Sequence, residues 1–150
     1  MKKEPTMDKN RINRLLPIAV EVIKKELSEP IPNEFRGYIA SFGAAVTMGS
    51  LPAAVAYYSA ASKNAKEDRT KLPVMILEVL KGENTAIKGE NTAITVDTLF
   101  EYVTSFKNDN ESLAIKEDVL HAAIAIKLGL NLFEIESKDK KVKEDEKNGG

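Results

Sequence analysis

From Gly37 to Ser62 the chain carries no charged residue. About 20 apolar residues suffice to span a bilayer, so a run of this length must either cross a membrane or be buried in protein. It is rich in Gly, Ala and Ser and poor in Leu. It also contains Gly49-Ser50-Leu51-Pro52, which reads as a helix stop followed by a helix start. A 3.6-residue apolar period survives on both sides of that break. Two short buried helices account for the run better than one spanning helix.

At 150 residues the chain has the size of one domain with one core. Its 22 basic and 23 acidic residues almost cancel. They are unevenly spread: residues 1–80 are net +3 and residues 81–150 net −4. The first half is therefore the better candidate to meet an anionic partner. With no cysteine there are no disulfides, thiolate metal sites or cysteine nucleophiles. The start, Met1-Lys2-Lys3-Glu4-Pro5-Thr6, has no apolar segment behind its basic residues, so no secretion signal is expected and a cytoplasmic location is.

The rest of the chain reads as helices. Ile12, Leu15, Leu16, Ala19, Val20, Ile23 and Leu27 form one apolar face of a helix over Arg11–Leu27. Pro17 is tolerated best there if Asn13 is the N-cap, because first-turn N–H groups lack partners anyway. Asn33 can cap a second helix with Phe35, Tyr38, Ile39, Phe42 and Val46 on one side. Ser50 can cap a third, with Leu51, Val55 and Tyr58 inward. Thr70 can cap a fourth, with Leu72, Ile76 and Val79 or Leu80 inward. Thr98 and Glu101 have capping-box spacing and open a short fifth helix.

Residues 81–94 read Lys-Gly-Glu-Asn-Thr-Ala-Ile twice in tandem. Seven residues is a heptad, but two copies with Gly and Asn in each make poor helix. The pair is expected to be a duplication in an exposed loop. Asn108-Asp109-Asn110 is expected to break the chain before a long last helix over about Ser112–Ile135. That helix has two apolar stripes. One is Ile115, Val119, Ala122, Ile126, Leu130 and Phe133; the other is Leu113, Leu120, Ile124, Leu128 and Leu132. An arc that wide is expected to be gripped from two sides or shared with a partner. The fold expected is all-α: a single-domain bundle of about five to six helices over 10–136, with disordered tails at 1–9 and 137–150.

No catalytic set emerges. His121 is the only histidine. Glu117 and Asp118 lie one helical turn before it, but a metal centre needs more ligands than that. Packing is the better reading. No Gly-rich phosphate loop follows a strand. The chain is therefore expected to be neither an enzyme nor a cofactor carrier. Two groups of cations remain: Arg11, Arg14, Lys24 and Lys25 outside the apolar stripe of helix 1, and Lys63, Lys66, Arg69 and Lys71 around the helix 3–4 loop. They form either an ordinary solvated face or a set of nucleic-acid phosphate contacts that read no sequence. No aromatic residue is interleaved with them for base stacking.

The segment Tyr38-Ile-Ala-Ser-Phe-Gly-Ala-Ala-Val-Thr-Met-Gly-Ser-Leu-Pro-Ala-Ala-Val-Ala-Tyr-Tyr58 resembles the small subunit of type III-B CRISPR RNA-silencing (Cmr) complexes. That family pairs an apolar helix, ending in a Met- and Gly-containing break, with a Leu-x-x-x-Leu-Ala-Phe helix. Leu51, Val55, Ala56 and Tyr57 occupy those four positions here. The order of elements over residues 10–135 is also similar. Ser50 stands where the family often has a glycine, and Lys127 alone stands where a Trp and paired basic residues are expected. The resemblance implies a non-catalytic helical subunit whose copies stack inside a guide-RNA filament. Such a subunit touches the backbone subunits and the polymerase-like large subunit and holds target RNA by its phosphates. The alternatives are a small helical adaptor or antitoxin-like regulator that binds only protein, and a membrane-associated helical protein.

Overall fold

The computed structural model describes residues 8–60, 68–88 and 94–136. The two expected tails (apart from Asp8 and Lys9), Lys63, Lys66 and most of the second heptapeptide copy lie outside these residues. The order of elements is α1 (Lys9–Glu26), α2 (Glu34–Met48), α3 (Leu51–Ser59), α4 (Lys71–Lys88), α5 (Leu99–Val103) and α6 (Asp109–Gly129). A 3-10 turn, Leu130–Leu132, follows α6. Among the described residues the only β-type pairing is an isolated parallel bridge, Ile31 with Ile135. It ties the α1–α2 link to the segment after α6 through Ile31 N–H to Glu134 C=O and Glu136 N–H to Ile31 C=O, both 2.8 Å. The fold is an all-α bundle with a long C-terminal helix, as expected.

Helix α1 packs mainly against α6 and α4. Its buried face is Ile12, Leu15, Ala19, Val22 and Ile23. It starts earlier than expected, with Asp8 rather than Asn13 as its cap; the Asp8 carboxylate accepts from the Arg11 N–H. Pro17 thus lies inside the helix. The ring removes the hydrogen bond to the Asn13 carbonyl, and its exposed position keeps the ring clear of the core. Phe35, Ile39, Phe42 and Val46 bury one side of α2. Edge-on contacts of Tyr58 with Phe42 and Tyr38, at 5.6 and 6.3 Å between ring centroids, lock α3 onto it.

Several starts follow the sequence. Ser50 caps α3 through the Ala53 N–H, and Thr98 caps α5 through the Glu101 N–H. Asn33 precedes α2 but makes no side-chain cap bond. The Thr70 hydroxyl and N–H are both turned to the Asp68 carboxylate. Asn108 lies between α5 and α6 and caps α6, accepting from the Glu111 N–H; Asp109 and Asn110 already belong to α6, which starts before the expected Ser112.

The largest departure is at the tandem repeat. Helix α4 runs through the whole first copy to Lys88, where a loop was expected. Tertiary contact overrides weak helix propensity here. Gly82 lies against α1 so closely that a Cβ would sit 2.8 Å from Ile18 Cγ2. Glu83, one residue on, is ion-paired to α1.

Candidate functional site

Arg11, expected on a solvent face, is half-buried between α1, α4 and α6. Its Nε and Nη2 donate to Glu83 Oε2 and Oε1 at 3.0 and 2.7 Å, a two-point fork on α4. Its Nη1 reaches Asp118 Oδ1 of α6 at 2.7 Å. Tyr102 of α5 donates its hydroxyl to the other oxygen of Asp118 at 2.8 Å. The guanidinium therefore joins α1 to α4 and α6, and Asp118 extends the set to α5. Burial works against its charge, but the hydrogen bond to Glu83 and the field of Asp118 outweigh it, so the proton is held more tightly than usual. Burial, and then the charge of Asp118, push the Tyr102 hydroxyl well above the usual phenol range. Arg11 is a structural cation in this fold, which withdraws it from a set of free phosphate contacts.

Lys71 is also occupied: its Nζ donates to the Glu26 carbonyl at the end of α1, 3.0 Å away, where the helix dipole favours a cation. Arg69 lies over the Tyr57 ring, 4.1 Å from its centroid, and donates from Nε to the Ala60 carbonyl. Arg14, Lys24 and Lys25 are exposed on α1. Arg14 makes no ion pair among the described residues. Lys24 meets Glu21 and Lys25 meets Glu78, each at 3.4 Å. Exposed pairs of this kind contribute about 0–1 kcal/mol and do not hold a cation back from a phosphate. The structure thus brings Arg14, Lys24 and Lys25 onto one helix and leaves Arg69 and Lys71 tied to neighbouring groups.

His121 is buried. Its Nδ1 is 2.7 Å from the Glu117 carbonyl, an acceptor only, so that nitrogen carries the proton. Its Nε2 accepts from the Asp8 backbone N–H at 3.0 Å. With both nitrogens engaged, the ring holds the start of α1 against α6. Among the described residues no group of three or more His, Asp or Glu side chains could hold a metal ion, and no helix is long and apolar enough to cross a membrane.

What distinguishes the surface is a face of small and apolar residues. The first apolar stripe of α6 is in the core: Val119, Ala122 and Ile126 have no exposure. The second is not; Leu113, Leu128 and Leu132 are exposed, while Leu120 and Ile124 are half-buried. Beside it, α2 presents Ala40 and Ala44 at its surface. A groove of about 270 Å³ runs between the two helices, floored by small residues and rimmed by Lys127. The sequence had left the second stripe either gripped from two sides or shared with a partner; among the described residues nothing covers Leu113, Leu128 and Leu132, while Leu120 and Ile124 are partly covered. The sequence missed Glu83 and Tyr102, and it set Asp118 beside His121 rather than Arg11. Their spacing to Arg11 carries no local signal, because the four side chains come from four helices.

No family model, no curated protein and no solved structure matches this chain.

Proposed function

We propose that this chain is a non-catalytic small subunit of a type III-B CRISPR effector complex, built to pack against protein neighbours and to touch target RNA through phosphates. The observation that carries the reading is the segment Tyr38–Tyr58. It forms α2, a break at Gly49-Ser50 and α3, the arrangement the resemblance implies. Its outward side is uncharged and adjoins the unburied leucine stripe of α6. Contiguous apolar surface of this kind marks interaction sites. The neighbours in such a complex are the backbone subunits, the large subunit and further copies of the chain. RNA binding falls to Arg14, Lys24 and Lys25, with Lys63 and Lys66 from the α3–α4 link, and no longer to Arg11.

A protein-only adaptor is the second reading. It is favoured by the internal engagement of Arg11, Arg69 and Lys71. Target-RNA binding by the assembled complex across a salt series separates the two. A variant with Arg14, Lys24 and Lys25 neutralised should lower the log–log salt slope by about 0.7 for each phosphate that a side chain no longer neutralises, with sequence preference unchanged. An unaltered slope in a complex that still contains the variant leaves the adaptor reading.

A further inference from the structure

We infer that Tyr57 and Arg69 form a stacking platform for one unpaired base of a single-stranded RNA, with the Arg69 guanidinium between the Tyr57 ring and the base. The inference deepens the reading above and rests on it for RNA as the ligand. It adds contact with a base, where that reading has contacts with phosphates alone; the choice of residues comes from their geometry.

In sequence no aromatic residue is interleaved with the basic clusters. Folding supplies one. The Arg69 Cζ lies over the Tyr57 ring, 4.1 Å from its centroid. Its Nε donates to the Ala60 carbonyl at 3.2 Å, in a bond at the protein surface. Ring and carbonyl together hold the guanidinium in one plane. Its inner face meets Tyr57 and its outer face turns away. The buried Tyr58 meets Tyr57 edge-on at 5.1 Å and steadies that ring in turn. An arginine plane held in this way stacks on a base; a lysine, a point charge on a flexible stem, does not. Tyr57 is 59% exposed. The exposed residues beside it on α3 are Ala53 and Ala56, too short to stand in front of a base.

The platform stands beside the exposed cations of α1. Lys71, two residues after Arg69, donates to the Glu26 carbonyl at the end of α1, and Lys24 and Lys25 are the basic residues of that helix's last turn. Two cation groups that are far apart in the chain are thereby neighbours. A strand that lays phosphates on Lys24 and Lys25 has Arg69 beside its path. The adjoining Asp68 turns its carboxylate to Thr70, so it does not stand between Arg69 and an anion. Acidic side chains of a protein partner would meet the same cations but bring no flat π-face to the guanidinium, whereas every base has one.

The test is binding of the full chain, at low salt, to a single-stranded oligouridine bearing 2-aminopurine and to the abasic oligomer of the same length, with melting curves to confirm folding. Wild type should bind the base-bearing strand at least about fivefold more tightly than the abasic one, and should quench the 2-aminopurine. Tyr57→Ala and Arg69→Lys should remain folded and lose both the preference and the quenching. Arg69→Lys keeps the charge, so its salt slope should match that of wild type. Tyr57→Phe keeps the ring and should behave as wild type. Retention of the preference and the quenching by Tyr57→Ala and Arg69→Lys overturns the inference. A wild type that binds both strands alike, with a salt slope, also overturns it and leaves the phosphate contacts standing. A wild type that binds neither strand overturns both. A chain that stacks the base but never enters an RNA-guided complex overturns the CRISPR reading alone.

Discussion

Arg11 and Glu83, 72 residues apart in the chain, are joined by two hydrogen bonds of 3.0 and 2.7 Å. The pair draws the first copy of the tandem heptapeptide into α4 and onto α1. Arg11 also satisfies Asp118, so the fork holds α1, α4 and α6 at one point. Removing one partner of such a pair leaves the other desolvated, which costs more than the bond itself contributes.

Glu83→Ala should therefore destabilise the fold by about 2 kcal/mol, reduced from the full cost of breaking a buried pair because Asp118 still holds Arg11. Glu90→Ala changes the same residue of the second copy. Since Arg11 is already engaged by Glu83, this change should stay within about 0.5 kcal/mol. Denaturant unfolding of the two variants makes the comparison. Equal losses would mean that the copies share the role.

Deleting residues 88–94 or 81–87 produces the same polypeptide, because the copies are identical. That chain keeps one Gly-Glu-Asn block in register with α1 and shortens only the link to α5. Stability should change by less than about 1 kcal/mol, in keeping with the weak length dependence of loop closure. Gly82→Leu should instead cost about 1–3 kcal/mol, because its side chain overlaps Ile18. A larger loss on deletion than on Gly82→Leu would count against this view of the repeat.

Ile126→Asp should unfold the protein. Ile126 has no exposure, and a carboxylate there has no partner, a cost of several kcal/mol. Leu128→Asp, two residues on, should melt as wild type because Leu128 is 43% exposed. Circular dichroism melting of both variants assigns the two stripes of α6. A folded Ile126→Asp protein would contradict the core described above.

Burial, and then the neighbouring Glu26 carboxyl, raise the Glu78 pKa from its ordinary value, with Lys25 opposing. A carboxyl whose pKa is higher folded than unfolded binds its proton more tightly when folded. Its contribution is complete below the unfolded value and is lost as pH rises through the folded one. Glu78→Gln removes that loss, so the variant should gain stability relative to wild type between about pH 4 and pH 7. Paired melts at those two pH values measure it. A variant that loses ground on going to pH 7 would mean that Lys25 dominates the site.

Local pattern determined the helical class, the inward faces of α2 and α3, the caps at Ser50 and Thr98, and the two stripes of α6. These depend on spacing within a few residues, and helical geometry turns spacing directly into a face. Pattern could not choose between the stripes of α6, since both have the right period. The neighbours decide that: α1 and α4 pack on the Val119–Ile126 side, and no described element of the chain covers Leu113, Leu128 and Leu132. Nor could it place Arg11 or the first Lys-Gly-Glu-Asn-Thr-Ala-Ile copy. Local propensity opposes a helix through Gly82 and Asn84, and an arginine beside an apolar stripe reads as solvated. Only the close approach of α1 and α4, with Glu83 and Asp118 converging from distant parts of the chain, makes the helix and the buried guanidinium favourable together.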